Sequence, residues 1–182
     1  MKKIAVHLAT GFEEIEAITI IDVLRRANLE VTTVSMTEST EVTGGHQIPV
    51  IADVLFSELD YSTIDALVLP GGMPGAKNLD KHQGLQKQIL QFANDKKMLG
   101  AICAAPLVLG HLGVLKDKKA VCYPGFESEL HGAEILKMPT TMSDNIVTGR
   151  GVGTALKFAL KLVEELAGKE KSDQLAKAML ID

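Results

Sequence analysis

The chain has no tryptophan and few other aromatics, two tyrosines and five phenylalanines among 182 residues. That shortage argues against a stacking platform for nucleic acid or carbohydrate. Net charge is -4 at pH 7 and no basic stripe runs through the sequence, so nucleic acid is not the expected partner. The two cysteines, Cys103 and Cys122, are widely spaced and make no disulfide framework. Neither belongs to a Cys-x-x-Cys pair, and none of the five histidines pairs at a helical zinc spacing, so no metal is expected. No apolar run is long enough to span a bilayer, and the opening Met1-Lys2-Lys3 leads into too short an apolar stretch for a signal peptide. These absences predict a cytoplasmic protein with no membrane contact, in a compartment that keeps thiols reduced. With 46% apolar and 23% charged residues, the chain reads as one globular domain over 1–182.

The most informative segment is 98–106, Met-Leu-Gly-Ala-Ile-Cys-Ala-Ala-Pro. A short apolar run ends in Cys103, and small residues then open a helical stretch expected over 104–112, closed by Gly113. This is the layout of a nucleophile on a strand-to-helix turn. Free N–H groups at a helix start favour an anion, which predicts a thiol pKa below the free value of about 8.5. The alternative is a plain apolar cysteine in a core strand. The segment 11–27 reads as a helix from about Glu13. At 3.6 residues per turn, Glu16 shares a face with Ala17, Ile20, Ile21, Val23, Leu24 and Ala27, while Glu14 and Asp22 fall on the other side. A carboxylate among packed aliphatics is costly unless protonated or bonded, and perturbed acids cluster at functional sites. Glu16 is therefore a candidate acid–base group, the alternative being an acid that snorkels at the first turn, as Glu13 is expected to do.

Further apolar runs predict strands over 3–9, 30–36, 66–70, 98–102, 120–122 and 146–148, with two short candidates in 134–144. Helices are expected over 82–96, 154–167 and 169–179, a turn or two over 125–131, and a hairpin or irregular excursion over 41–53. The alternation predicts an α/β fold, a mostly parallel sheet covered on both faces. Ligands bind such sheets beyond the carboxyl ends of the strands, where the 11–16 segment, the Gly71-Gly72 turn and Cys103 would meet. Pro70-Gly71-Gly72-Met73-Pro74-Gly75 lacks the Gly-Lys-Ser/Thr ending of a nucleotide loop, and Arg150-Gly151-Val152-Gly153-Thr154 lacks the dinucleotide spacing. His7 is expected to be a packed core histidine and Cys122 an ordinary strand residue.

Four segments in order, Gly11-x-Glu13-Glu14-x-Glu16, Leu69-Pro70-Gly71-Gly72, Ala101-Ile102-Cys103-Ala104-Ala105-Pro106 and Arg150-Gly151-x-Gly153-Thr154, resemble the ThiJ/PfpI superfamily. The likeness is strongest to the branch of Parkinson disease protein seven and runs over nearly the whole chain. It implies a three-layer, flavodoxin-like sandwich that forms a homodimer. It also implies cofactor-free glyoxalase or deglycase chemistry on small 2-oxoaldehydes or their protein adducts, with a non-turnover redox sensor or protective chaperone as the alternative.

In that reading Cys103 is the nucleophile, Glu16 moves the proton, and the N–H groups of Gly72 and Ala104 hold an oxyanion. Tyr123 and Arg150 would frame the pocket. Ile15 and Ile18, on the wet side of the first helix, would lie in a dimer seam, with Arg26 and a partner's His46 forming a cationic rim. Members with peptidase-like activity carry a histidine after the cysteine, where this chain has Ala104, so a protease reading loses its base. The branch often has a histidine where this chain has Tyr123, and a phenol with a pKa near 10 cannot replace it as a base at neutral pH.

Overall fold

The structure is a computed structural model and describes residues 1–181. Its strands are β1 (Lys3–Leu8), β2 (Glu30–Ser35), β3 (Glu41–Thr43), β4 (Pro49–Ile51), β5 (Val54–Leu55), β6 (Ala66–Leu69), β7 (Met98–Ile102), β8 (Lys119–Ala120), β9 (Glu134–Ile135), β10 (Thr140–Ser143) and β11 (Ile146–Gly149). Its helices are α1 (Glu14–Arg26), α2 (Gly75–Lys81), α3 (Gln83–Asn94), α4 (Pro106–His111), α5 (Ala155–Ala167) and α6 (Lys169–Ala178). Seven strands form one sheet in the order β10-β11-β7-β6-β1-β2-β5. Only β10 runs antiparallel. This is the α/β, flavodoxin-like sandwich with a mostly parallel sheet.

The period of two along a strand sorts β1 between two cores. Ile4, Val6 and Leu8 pack with α1 and α5 through residues such as Ile20, Leu24, Phe158 and Leu162. Ala5 faces the other way, with Leu67 and Leu69 of β6, Leu85 and Ile89 of α3, and Leu107 of α4. All four residues of β6 are buried, as a central parallel strand requires. His7 is wholly buried on that second side, its Nε2 3.0 Å from the Tyr61 hydroxyl. No helix of the described residues is long and apolar enough to cross a membrane.

Several expected elements change. Segment 75–81, for which the sequence offered no element, folds as α2, with Ala76 and Leu79 in the core. Strand β8 stops at Ala120, and Cys122 lies beyond it. Residues 104 and 105 are a turn, so α4 proper begins at Pro106. The 125–131 segment holds a single 3-10 turn, Glu127–Glu129. The excursion over 41–53 contains the antiparallel pair β3–β4, and β5 then adds a short edge strand beside β2.

Because β1, β6, β7 and β11 run parallel, their carboxyl ends open on one rim. Strands β6 and β2 lie on opposite sides of β1, so the direction of winding reverses there. That reversal leaves a crevice where no crossover covers the strand ends.

Candidate functional site

Cys103 follows β7 with φ of 65°. A single non-glycine residue in the left-handed region costs about 1–2 kcal/mol. The surroundings hold it there. Its N–H donates to the Gly149 carbonyl at 2.9 Å, and its carbonyl accepts from the Tyr123 N–H at 2.8 Å. The Ala105 N–H closes the turn on the Ile102 carbonyl at 3.0 Å. The sulfur is thereby lifted off the strand line toward the rim.

Glu16 comes up beneath it from the first turn of α1 and is fully buried. Helix capping fixes that turn: the Glu13 carboxylate accepts from the Glu16 N–H at 2.8 Å. The Glu16 Oε2 accepts from the Gly71 N–H at 2.8 Å, and its Oε1 has no hydrogen-bond partner among the described residues. Burial pushes the Glu16 carboxyl up to about 7, against the pull of the Gly71 N–H and the Cys103 thiol.

Glycines make this approach possible. A Cβ on Gly71 would lie 2.6 Å from the Cys103 Cβ and 2.8 Å from the Glu16 Oε2. Gly72 has φ of 89°, and a Cβ there would lie 2.4 Å from the Glu13 nitrogen. The Gly72 and Ala104 N–H groups both bear on the Cys103 sulfur. The rim is laced by backbone bonds, Glu13 N–H to the Gly71 carbonyl at 2.9 Å and Gly75 N–H to the Gly11 carbonyl at 3.1 Å.

The expected fall in the thiol pKa is reversed. Burial first, and then the Glu16 charge, push the Cys103 thiol up to about 12, while the Gly72 and Ala104 N–H groups pull it down. Helix α4 starts three residues after the sulfur and is six residues long, so its dipole contributes little. The Glu16 charge thus disfavours a thiolate beside it, and the two groups form a coupled pair.

Tyr123 and Arg150 flank the rim. A shallow cleft of about 390 Å³ is lined by Tyr123, Pro124, Arg150, Gly151, Val152 and Thr154. Gly151 separates ring from sulfur: a Cβ there would lie 3.1 Å from the Tyr123 ring and 4.0 Å from the Cys103 Sγ. The Arg150 side chain makes no ion pair among the described residues. Cys122 is buried and its thiol is pushed up to about 11 by burial.

Glu14 departs from the expectation of a wet position, being only 5% exposed. The turn between β3 and β4 folds over it: the His46 N–H donates to Oε1 at 2.6 Å and the His46 Nδ1 lies 2.8 Å from Oε2. Gly44 admits the carboxylate, since a Cβ there would sit 2.3 Å from Oε1. Burial would raise the Glu14 carboxyl, but the His46 ring and N–H hold it below the usual range. His46 is therefore tied to the first turn of its own α1. Arg26 sits in the last turn, paired with Asp22 and about 15 Å along the helix from Glu16. Within one chain the two cations are not brought together. Ile15 and Ile18 are 58% and 47% exposed on the outer face of α1.

Two residues at the site were not singled out from the sequence, Glu14 and Gly151, whereas Gly71 was placed on the rim as part of the Gly71-Gly72 turn but given no role of its own. For Gly71 the signal was present, a glycine at the carboxyl end of a fully apolar strand. Glu14 and Gly151 are recognisable only through contacts with distant segments.

The DJ-1/PfpI family model matches residues 2–165. Protein DJ-1 homolog B of Arabidopsis thaliana is 40% identical over 180 residues, covering 98% of this chain but 41% of that protein. The chain thus spans less than half the length of that curated relative. The glutathione-independent glyoxalase DJR-1.2 of Caenorhabditis elegans is 33% identical over 171 residues, covering 93% of this chain and 90% of the relative. The solved structure of oxidized Toxoplasma gondii DJ-1 superposes with a TM-score of 0.95 at 37% identity, over 100% of this chain and 99% of that one. A family model over nearly the whole length, on a fold and rim of this form, shows that the chain belongs to the DJ-1/PfpI family, in its DJ-1 branch.

Proposed function

We propose that the chain is a glyoxalase- or deglycase-like stress protein that acts, without a cofactor, on small 2-oxoaldehydes or their protein adducts through Cys103. The observation that carries the reading is the convergence on one sulfur of a buried carboxyl, Glu16, and two backbone N–H groups, Gly72 and Ala104. The relative named as a glutathione-independent glyoxalase supports the reaction class.

In this reading the pair's single proton starts on the Cys103 thiol, where burial and the Glu16 charge keep it, and passes to the Glu16 Oε1, the oxygen with no hydrogen-bond partner among the described residues, as the sulfur becomes the attacking thiolate. Two N–H groups then serve the thiolate, and the Gly71 N–H serves Oε2. The thiolate adds to the aldehyde carbon of a 2-oxoaldehyde, forming the C–S bond. The Gly72 and Ala104 N–H groups hold the carbonyl oxygen as it becomes an oxyanion. That oxygen takes the Glu16 proton to give the hemithioacetal. The Glu16 carboxylate, with its affinity raised by burial, removes the proton on that carbon and returns it to the neighbouring one through an enediol, while the hydroxyl proton of the first carbon passes to the neighbouring carbonyl oxygen. The product is a thioester of the 2-hydroxy acid, which water cleaves to release the acid and regenerate the thiol. Oxidation states balance within the substrate, so no external oxidant or reductant enters.

A second reading has one observation in its favour. Tyr123, which is half exposed, stands in the place where the branch often has a histidine. In that reading two equivalents of peroxide oxidise the Cys103 thiol through sulfenic acid to the sulfinate, releasing water, and Glu16 holds the sulfinate without turnover. Incubating pure protein with methylglyoxal and quantifying lactate separates the two. Lactate made by the wild-type chain and not by Cys103→Ser supports turnover. Lactate made at equal rates by both would refute the role given to Cys103.

The exposed Ile15 and Ile18 support a homodimer seam on α1, next to the rim.

A further inference from the structure

One side-chain cluster outside the rim has no part in that chemistry. His111 closes α4, Glu129 ends the Glu127–Glu129 turn, and His131 follows two residues later. The His111 Nε2 lies 2.8 Å from the Glu129 Oε2. The His111 and His131 ring centroids are 5.3 Å apart. One ligand atom from each of the three residues lies within 4.8 Å of the other two. We propose that His111, Glu129 and His131 form a binding site for a zinc-class divalent cation.

The donor chemistry selects that class. Two imidazole nitrogens and one carboxylate oxygen suit zinc and its neighbours, whereas calcium and magnesium want oxygen shells. In a tetrahedral zinc shell with bonds of about 2.0–2.2 Å, donor atoms sit roughly 3.3 Å apart. Donor atoms lying within 4.8 Å of one another reach that spacing by small rotations of the three side chains. Three protein ligands leave one position for water.

Two features go beyond the proximity of three donors. The first is an outer carboxylate. Asp80, on α2, places both its oxygens 3.1 Å from the His111 Nδ1. This carboxylate–histidine pair fixes the ring and directs the Nε2 lone pair at the metal position, the arrangement that supports zinc-ligating histidines. The second is the backbone fit. A Cβ on Gly110 would lie 2.2 Å from the Glu129 carbonyl oxygen and 2.7 Å from the Leu130 Cα. Only glycine lets the Glu127–Glu129 turn lie flush on α4 and bring Glu129 and His131 to His111. Beside the cluster, a cleft of about 450 Å³ bounded by Met73, Lys77, Asp80, Phe126 and Glu129 gives solvent access.

The competing account is a surface ion-pair network, Asp80–His111–Glu129. That network makes no use of His131, which has no hydrogen bond to either partner among the described residues. A metal site requires it.

The test uses the full chain in a Cys103→Ser, Cys122→Ser background, so that thiols do not capture the metal. Zinc chloride is titrated calorimetrically into chelator-stripped protein, and cobalt(II) is added in parallel for its visible spectrum. One zinc per chain is expected, with tetrahedral cobalt bands. His131→Ala should abolish that saturable binding while far-UV circular dichroism stays unchanged. Asp80→Asn, which spares all three ligands, should weaken affinity about 10- to 100-fold. Gly110→Ala should weaken it as well, by parting the ligands. Absence of saturable zinc binding, or binding that His131→Ala leaves intact, would overturn the proposal.

Discussion

Gly71→Ala tests whether the spacing between Glu16 and Cys103 governs turnover. The added methyl would start 2.6 Å from the Cys103 Cβ, 2.8 Å from the Glu16 Oε2 and 2.8 Å from the Ile102 carbonyl oxygen. Gly71 has no positive φ, so alanine's backbone fits and crowding is the only perturbation. Ordinary contact begins near 3.4 Å, so sulfur-bearing and carboxyl-bearing groups must part by about 0.6–0.8 Å. Misplacing reacting groups by about 1 Å costs on the order of 10²-fold in rate, or about 2.7 kcal/mol of transition-state stabilisation. The assay is lactate production from methylglyoxal per folded molecule, with thermal melting alongside. Gly100→Ala is the control. It also crowds the sheet, at 3.2 Å from Leu162 and 3.3 Å from Phe158, but in the core rather than at the sulfur. It should cost stability, about 1–3 kcal/mol for overpacking, and leave turnover per folded molecule unchanged. Wild-type turnover by a folded Gly71→Ala protein would refute the reasoning, as would equal losses in both variants.

Three further outcomes follow from the same geometry. Glu16→Gln keeps the shape and a donor but cannot carry the proton between carbons, so turnover should fall about 10²–10⁴-fold with the fold intact; unchanged turnover would make Glu16 structural. Burial drives His7 down to about 4 from 6.5, so between those values the unfolded chain binds a proton that the folded chain refuses. Stability should therefore fall as pH drops from about 6.5 to 4, by roughly 3 kcal/mol in all, and urea melts of His7→Gln should show a flatter slope across that window. Ile15→Glu with Ile18→Glu would set like charges across a two-fold seam on α1. It should yield monomers or unfolded protein by size-exclusion light scattering, and a double variant that stays a stable dimer would refute the seam.

Local pattern carried much of the site. The apolar runs that became β1, β6 and β7 were legible because a buried parallel strand leaves little choice of residue. Parallel strands put their carboxyl ends on one rim, so three sequence segments could be placed together without coordinates. Glu16 was legible from helical phase alone. Glu14 was not, because what buries it is a turn some thirty residues away, around Gly44 and His46. Helix α2 carries too short an apolar pattern to read, with only Ala76 and Leu79 apolar and buried in its seven residues. The direction of the Cys103 shift was not legible, because the burial and the Glu16 charge that push the thiol up come from segments packed around the turn. The His111 cluster had no periodic signature at all. Its ligands come from α4 and the turn packed on Gly110, which only the tertiary fold unites.

What holds the rim is mostly backbone. Cys103 is tied by its own N–H and carbonyl to Gly149 and Tyr123, and Gly71, Gly72 and Gly11 are tied to α1, α2 and β3 by main-chain bonds. The close approaches depend on hydrogen atoms where other residues carry a Cβ. Such a cradle fixes the sulfur, the carboxyl and the two N–H donors with no help from the side chain at 123. Tyr123 reaches the rim from outside, over Gly151, and only its main chain contributes to the elbow. The geometry therefore separates two parts of the rim. The glycine-lined turns set the distances around the sulfur, whereas the ring at 123 borders the cleft from outside. A substitution at position 123 should leave the spacing of Cys103, Glu16 and the two N–H groups as it is. A Cβ at Gly71 or Gly72 should disturb that spacing directly.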